Sequence, residues 1–252
     1  MTLLIAVGHT DLEWARLDDD GRPGAVETAA HRGVEPETWQ QRLAALAPPR
    51  RIVVANVAGA AFAARLRRFA ERQWRLGPEF VVAAAEGPGV RNGYARPAAL
   101  GVDRWLAMLA AWQLAPGPLL VATTGPAFAV DAVDGEGLHR GGCIVPGERL
   151  MREALHAQTS GVAAAALLDR AAVDGAFGIN TAGAVQQGAR LALASLVART
   201  ARALEAAGAA PPRIFVVGGA AEEIAPLVAR SVEIVPHLVL RGLALLAAEV
   251  VA

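Results

Sequence analysis

Residues 3–14, LLIAVGHTDLEW, decide the fold that this sequence predicts. Leu3–Val7 is apolar enough for a buried strand, Gly8 suits a tight turn, and Leu12–Leu17 alternates apolar and polar residues as a half-exposed strand does. Glycine turns of this kind often cradle a nucleotide phosphate. Here no acid precedes the glycine and no lysine follows it, so the segment is either a phosphate loop or the remains of one.

The same pattern returns in the middle of the chain. Residues 118–137, PLLVATTGPAFAVDAVDGEG, again run from an apolar strand through a glycine turn to a second apolar strand and an acidic-glycine turn. Aligning Gly8 with Gly125 places Ala6 on Thr123. Two matching hairpins about half a chain apart predict a duplicated domain, although short apolar repeats also arise by chance.

The rest of the chain alternates strands with helices, which is typical of the α/β class. The apolar patterns predict strands at 51–59 and 79–85, a turn at 141–147, a strand, glycine turn and helix start at 213–224, and helices at 36–46, 60–74, 98–114, from 149, 182–206 and 239–252. Backbone N–H groups at the helix start after residue 218 would favour an anion, or this segment is a plain strand–helix connection.

Composition narrows the classes of function. The chain is 54% hydrophobic with a formal net charge of zero, which predicts a globular protein without general attraction to nucleic acid or to an anionic membrane. The basic segment Arg65–Arg75 is predicted to be a solvated helix face, with a nucleic-acid surface as the alternative. The sequence shows neither a membrane-spanning run nor a signal peptide, so we expect a cytoplasmic location.

Residue types that are absent exclude several mechanisms. All 24 basic residues are arginine, so a Walker A loop, a protein-kinase phosphate lysine and a lysine Schiff base are impossible. The single Cys143 excludes an intramolecular disulfide and a multi-cysteine metal site. We expect Cys143 to be inert packing rather than a catalytic thiol.

Four segments together resemble one family, the type III pantothenate kinases. RNGYARPAALGVDRW (91–105) fits the family signature Asn-x-Tyr-x-x-Pro-x-x-Leu-Gly-x-Asp-Arg almost throughout. LHRGGCIVPG (138–147), FGINTAGAVQQG (177–188) and FVVGGAAEE (215–223) resemble three further family segments, in the same order and spacing. The resemblance implies the acetate kinase, sugar kinase, Hsp70 and actin superfamily, an α/β fold with two ribonuclease-H-like domains. We place these domains at 1–115 and 116–252.

The resemblance also implies an activity and the residues that carry it. The activity is ATP-dependent phosphorylation of pantothenate, the first step of coenzyme A synthesis, by a homodimer that uses Mg²⁺ and a monovalent cation. Asp103 falls where the family has its general base. The residues that fall where the family holds pantothenate are Tyr94, Gly101, Val102, Asp103 and Arg104, and Thr181 matches a threonine that reaches the substrate from the partner subunit. Without the resemblance, Asp103 would be a helix-start charge or ion-pair partner, and Thr181 a helix cap.

The phosphate side departs from the family pattern. The first hairpin of the family reads Asp-x-Gly-Asn-Thr, where this chain has Ala6, Val7, Gly8, His9 and Thr10. The second reads Asp-x-Gly-Thr-Ala-x-Thr-x-Asp, where this chain runs from Thr123 through Gly125 and Pro126 to Asp131. Ala6 offers no metal ligand, Thr123 offers a neutral hydroxyl, and Pro126 removes an N–H donor. Asp131 either holds a metal through water or terminates the hairpin.

Three functions follow as hypotheses. The first is a pantothenate kinase whose activity is weakened or lost, because ATP and metal contacts are missing. The second is a non-catalytic regulator or subunit that binds pantothenate or a related small acid and needs no cofactor. The third is an enzyme repurposed around Asp103. No recognisable nucleic-acid motif is present.

Overall fold

The computed structural model describes residues 1–35, 37–168 and 170–249. The strands within these residues are β1 (Thr2–Val7), β2 (Asp11–Arg16), β3 (Glu27–Ala30), β4 (Arg51–Asn56), β5 (Glu79–Phe80), β6 (Glu86–Gly87), β7 (Val90–Arg91), β8 (Leu119–Thr124), β9 (Ala127–Val133), β10 (His139–Pro146), β11 (Val173–Asp174), β12 (Phe177–Gly178), β13 (Arg213–Gly218) and β14 (Glu233–Ile234). The helices are α1 (Glu37–Ala44), α2 (Ala60–Trp74), α3 (Val102–Leu114), α4 (Glu148–Gln158), α5 (Ser160–Leu168), α6 (Thr181–Ala206), α7 (Ala221–Ile224) and α8 (Leu238–Glu249), with 3₁₀ turns at Pro97–Ala99 and Ala225–Leu227.

These elements form two compact units. Unit 1 contains Met1–Pro116, Gly137–His139 and residues 237–249, and unit 2 contains Gly117–Glu136 and Arg140–Pro236. Each unit has a five-stranded sheet, in the order β3-β2-β1-β4-β5 in unit 1 and β10-β9-β8-β13-β14 in unit 2. The identical strand order confirms the prediction of a duplicated α/β domain.

One core cluster of unit 1 lies on one face of its sheet, and the residues of the other face, such as Leu4 and Val53, are buried as well. β1 pairs antiparallel with β2 and parallel with β4. Because side chains alternate along a strand, Leu3, Ile5 and Val7 point to the same face, where they join a cluster that includes Trp39 of α1 and Phe62 of α2. Helix α8 packs against β1 and α3. The sequence pattern predicted α2 with the bounds that the structure has.

The core of unit 2 is built in the same way. β8 pairs antiparallel with β9 and parallel with β13. Leu120 of β8 and Phe128 of β9 pack with Leu193 and Val197 of the long helix α6. Phe128 is therefore a core residue, which explains an apolar side chain close to the second hairpin turn.

An ion pair occurs at the same place in both sheets. The Nη2 atom of Arg51, at the start of β4, lies 2.8 Å from Glu79 Oε2, and the Nη2 atom of Arg213, at the start of β13, lies 2.7 Å from Glu233 Oε1. Glu79 faces Val53 across the parallel ladder, and Glu233 faces Phe215, two residues after the arginine in each case. This equivalence is independent evidence for duplication, because it concerns polar side chains as well as strand order.

Several predicted elements were wrong in extent or type. Residues 141–146 lie in β10 instead of a turn, because a sheet edge outweighs the local glycine and proline signals. Only Glu79 and Phe80 of the predicted strand 79–85 pair with β4. The predicted helix 98–114 is divided before Val102.

Three further points concern individual positions. Cys143 is exposed on β10, so the expectation of a packed thiol was wrong. Pro36 and residues 250–252, at the ends of two predicted helices, lie outside the described residues. Among the described helices, none combines the length and the apolar character needed to cross a bilayer.

Candidate functional site

Asn92 organises the loop that carries Tyr94. Its Nδ2 group donates to Ala84 O (3.0 Å) and Pro97 O (3.2 Å), and its Oδ1 atom accepts from the Tyr94 N–H (3.0 Å). The last contact is an Asx turn, in which an asparagine side chain bonds to its own backbone two residues on. Asn92 therefore fixes the direction in which the chain presents Tyr94.

Tyr94 contacts two ionisable side chains of unit 1, Arg104 and His139. Arg104 Nη1 donates to the Tyr94 hydroxyl (3.3 Å), and the Arg104 guanidinium carbon lies 5.9 Å from the ring centroid. The His139 ring stacks on Tyr94 with 5.6 Å between centroids and 22° between planes. Arg104 and His139 are both buried. We call Tyr94, Arg104 and His139 the Tyr94 cluster.

Asp103 lies one position before Arg104, in the first turn of α3. A carboxylate there is stabilised by the positive end of the helix dipole, and its side chain is half-buried. Gly101, which caps the helix, has no side chain to obstruct it: a Cβ atom at Gly101 would lie 2.8 Å from Asp103 Oδ1. The Val102 side chain is buried. Glycine at position 101 thus leaves space for the Asp103 carboxylate.

The first hairpin has a short turn held by one neighbouring segment. The Gly8 N–H donates to Asp11 O (2.9 Å), which closes the turn over the exposed His9 and the half-buried Thr10. His31 Nε2 lies 2.9 Å from Gly8 O and must be the donor, since a carbonyl only accepts. The His31 N–H also donates to Thr10 O (2.9 Å). The Thr10 hydroxyl donates to the exposed Asp11 carboxylate (2.7 Å).

The second hairpin turn is one residue shorter and is held differently. Ala6 pairs with Glu13 but Thr123 pairs with Ala129, so aligning the two glycines shifts the second strands by one residue. Pro126 O accepts from the Gly147 N–H (2.8 Å), and a side chain at Gly147 would collide with the Gly125 carbonyl.

Thr124, in this second hairpin, also contacts the start of α7. Its hydroxyl accepts from the Ala220 N–H (3.0 Å). This donor of the predicted anion-favouring helix start is therefore used within the protein, and α7 spans only Ala221–Ile224.

Few carboxylates accompany these hairpins. Ala6 is buried and apolar, and Thr123 offers a half-exposed hydroxyl. Asp131 is buried inside β9, opposite Val121, so the alternative that it terminates the hairpin was wrong. Among the described residues, no three His, Cys, Asp or Glu side chains group as metal ligands would. Mg²⁺ is usually held by one or two carboxylates together with phosphates and waters, and the exposed Asp11 is the carboxylate of the first turn.

Thr181 is the first residue of α6 and is exposed. The helix cap is its neighbour Asn180, whose Oδ1 atom accepts from the Gly183 N–H (2.8 Å), so Thr181 is not the cap that residue type alone suggested. Thr181 lines a groove of about 440 Å³ between α4 and α6, with Met151, Leu155 and Val185 among its other walls.

The structure groups the predicted site residues in part. Within unit 1, Tyr94 and Arg104 are in contact and Asp103 adjoins Arg104 on α3. Gly8, His9 and Thr10 form a separate turn of unit 1. Unit 2 carries Thr123, Gly125, Pro126, Asp131 and Thr181. The sequence interpretation missed His139, Asn92 and His31. The Asn-Gly-Tyr order is an Asx-turn signal that could have identified Asn92, but the other two partners come from distant parts of the chain.

Comparisons with known proteins agree on one family. The family model for type III pantothenate kinase matches residues 2–203. A type III pantothenate kinase from Burkholderia thailandensis is 39% identical over 261 residues, covering 97% of this chain and 97% of that protein. One from Azoarcus sp. is 39% identical over 248 residues, covering 98% and 91%.

A solved structure supports the fold. The structure of a Sinorhizobium meliloti protein described as a 2-dehydro-3-deoxygalactonokinase has a TM-score of 0.60 at 16% identity, covering 100% of this chain and 99% of that one. At this identity the likeness concerns the fold alone. It agrees with an α/β fold built from two similar units.

Proposed function

The chain belongs to the type III pantothenate kinase family, and we propose that it phosphorylates pantothenate with ATP. The observation that carries this proposal is the Tyr94 cluster beside Asp103 at the start of α3. The cluster combines a guanidinium, a phenol and a stacked imidazole with an adjacent carboxylate. The guanidinium, the phenol and the imidazole suit binding of a small acid with an alkyl body, and the carboxylate suits removal of the proton from a hydroxyl of that acid.

Each residue has a distinct part in this reaction. Arg104 and Tyr94 bind pantothenate, since a guanidinium suits a carboxylate and an aromatic ring suits an alkyl body. Asp103 accepts the proton of the pantothenate hydroxyl while the oxygen of that hydroxyl attacks the γ-phosphorus of ATP. A new P–O bond forms, the bond to the bridging oxygen of ADP breaks, and ADP leaves with that electron pair. His139 and Asn92 are positioning residues, because they hold Tyr94.

We expect this activity to be weak. Phosphoryl transfer depends mainly on positioning and on neutralising charge. Ala6 and Thr123 supply no carboxylate, so the hairpins do not fit a metal held mainly by the protein. Mg²⁺ would be coordinated chiefly by nucleotide oxygens and water, and the need for a monovalent cation stays a prediction. Losing one charge-stabilising contact commonly costs about 10²–10³ in rate.

One observation favours a second candidate, a non-catalytic protein that binds pantothenate or a related acid. Two backbone N–H groups beside the second hairpin already donate to the protein itself: that of Ala220 to the Thr124 hydroxyl, and that of Gly147 to Pro126 O. Donors at such turns are what would hold phosphate. The family motif that carries Tyr94 and Arg104 has lost none of the residues expected to bind the acid. A cytoplasmic regulator or subunit of this kind would therefore still bind the acid without catalysing phosphoryl transfer.

Homodimer formation is part of the proposal. On unit 2, Phe177 and Ile179 are 77% and 68% exposed, close to the start of α6 in the chain. Large exposed apolar patches mark interaction surfaces. We expect light scattering after gel filtration to give twice the chain mass, and Phe177→Asp to shift the protein to monomer. A monomeric wild type at tens of micromolar, by the same measurement, would contradict the dimer.

Calorimetry and a kinase assay test the function. Pantothenate is titrated first, followed by Mg²⁺ with a non-hydrolysable ATP analogue. Binding of both, with phosphopantothenate formed in an assay with ATP and abolished by Asp103→Asn, supports the kinase. Binding of pantothenate without nucleotide binding or turnover supports the non-catalytic candidate. No binding of pantothenate contradicts both.

A further inference from the structure

Helices α1 and α2 of unit 1 border a second cavity, of about 470 Å³, lined by Gln40, Arg65, Arg68, Glu71 and Arg72. None of these residues belongs to the Tyr94 cluster or to either hairpin, and the function proposed above gives them no role. We call this space the α2 arginine cavity. Its volume lies in the range of small-molecule binding sites, about 300–1,000 Å³.

The cavity is positively charged. Arg65, Arg68 and Arg72 follow the spacing that places residues on one face of a helix. Glu71 supplies the one acidic wall, so three positive charges and one negative charge give a net charge of +2. This local excess contrasts with a formal net charge of zero for the whole chain.

The arginines of the cavity are not neutralised by ion pairs. Within the described parts of the chain, Arg65, Arg68 and Arg72 have no ion-pair partner, whereas Arg42 and Arg51 of the same unit each bind a glutamate. Uncompensated positive groups that share a cavity repel one another. An anion bound between them would relieve that repulsion.

One of the three guanidinium groups is already held in place. Arg65 is half-buried, and its guanidinium carbon lies 5.2 Å from the ring centroid of Phe62, a core residue that is itself buried. A cation over an aromatic face is attracted by the ring. Less side-chain freedom is therefore lost when a ligand binds Arg65. The Gln40 amide adds a neutral donor to the lining of the same cavity.

We propose that the α2 arginine cavity binds a small molecule carrying two or more linked phosphate groups. The planar guanidinium fork matches phosphate oxygens in pairs, and it does so better than a lysine ammonium would. Linked phosphates supply the two or more negative charges that balance the net +2. A cavity of this volume, with Glu71 in its wall, fits a compact ligand better than the long backbone of a nucleic acid, which needs an extended basic stripe. Inorganic polyphosphate and the phosphates of a nucleotide share this chemistry.

Inorganic triphosphate is the probe for the test. It is titrated by calorimetry into the full chain, and hydrogen exchange locates its contacts. The double variant Arg68→Gln/Arg72→Gln is compared with Arg50→Gln/Arg67→Gln, which removes the same charge from the same unit without altering a wall of the cavity. We expect affinity to fall about 10-fold or more in the first variant and by less than about 2-fold in the second. Triphosphate should slow exchange in residues 37–44 and 60–74.

Three results would overturn the proposal. The first is equal affinity in wild type and Arg68→Gln/Arg72→Gln, or equal losses in the two double variants, which would mean an adventitious ion only. The second is slowed exchange confined to the hairpins 2–16 and 119–133, which would place triphosphate at the proposed ATP site. The third is a single-stranded oligonucleotide that binds more tightly than triphosphate with the same dependence on Arg68 and Arg72, which would identify a nucleic-acid surface. Repeating the titration with a nucleoside diphosphate then distinguishes the two sources of phosphate.

Discussion

Units 1 and 2 have the same strand order, and an arginine–glutamate pair at the same register joins β4 to β5 in unit 1 and β13 to β14 in unit 2. The two units differ in the turn of the hairpin with which each sheet begins. In unit 1 the turn bears the exposed Asp11 and is held by His31. In unit 2 it is one residue shorter and is held by Gly147 and Ala220.

The difference separates what packing requires from what chemistry requires. Apolar strands and edge ion pairs stabilise either unit in the same way, so both units retain them. Hairpin turns lie beyond the core, where replacing a polar group costs the fold little. The second hairpin has Pro126 and Thr124 in internal hydrogen bonds, while α3 of unit 1 presents Asp103 next to the Tyr94 cluster. In the proposed kinase, the pantothenate side and the phosphate side would therefore depend on different kinds of contact.

Asp103→Asn removes the proposed general base of unit 1 and has the largest expected effect. The amide cannot accept the hydroxyl proton, so kcat should fall about 10²–10⁴-fold, the usual contribution of a general base. The fold should persist, because Asp103 is half-buried and the substitution is isosteric. Turnover by coupled ADP detection is compared with Asp19→Asn, an exposed position of unit 1. Unchanged kcat in Asp103→Asn would remove Asp103 from the mechanism.

Thr123→Asp is designed to repair the unit 2 side. A carboxylate at this half-exposed position would supply the kind of ligand that Mg²⁺ prefers. We expect kcat to rise about 10–100-fold at saturating Mg²⁺, the inverse of losing one charge-stabilising contact. Thr123→Asn has nearly the same shape without the charge and should give no rise. Equal kcat values in the two variants would show that the second hairpin does not limit the rate.

Gly101→Ala sharpens the comparison by moving the base without removing it. The new Cβ atom would lie 2.8 Å from Asp103 Oδ1, so the carboxylate must turn away. The φ angle of Gly101 is −56°, which alanine adopts without strain. We expect kcat to fall about 10-fold, as misplaced catalytic groups do, while thermal unfolding changes little.

Gly161→Ala is the matched control, since a Cβ at Gly161 meets no atom within 4 Å. The same loss of kcat in both variants, or a Gly101→Ala enzyme with wild-type kcat, would show that the space beside Asp103 has no catalytic importance.

The parts of the fold that the sequence predicts are those set by local periodicity. A continuous apolar run identified β1, alternation of apolar and polar residues identified β2, and helical spacing identified α2 to the residue. β10 was missed because its Gly-Gly and Pro-Gly pairs favour a turn locally, whereas its strand state depends on lying beside β9. Such pairing between segments leaves no local pattern to detect.

The candidate site divides along the same line. Tyr94, Asp103 and Arg104 lie within one short motif, so a single segment could reveal them. His139 stacks on Tyr94 from a later part of the chain, and His31 reaches Gly8 from β3's far end. Neither histidine belongs to a motif that implies these contacts. The one-residue shift between the hairpins is equally invisible in an alignment made on their glycines.

Glu79→Gln has the smallest expected effect and examines what the two units share. The hydrogen bond from Arg51 holds the pKa of the Glu79 carboxyl below its usual value. A carboxyl whose pKa is lower in the folded state stabilises the fold above its unfolded pKa, and this contribution is lost as pH falls through the folded pKa. Because the Glu79 side chain is 55% exposed, we expect Glu79→Gln to lower the free energy of unfolding at pH 7 by no more than about 1 kcal/mol. In urea titrations the difference from wild type should shrink below about pH 4. A difference that stays constant from pH 7 to pH 3 would show that Glu79 acts through packing instead of charge.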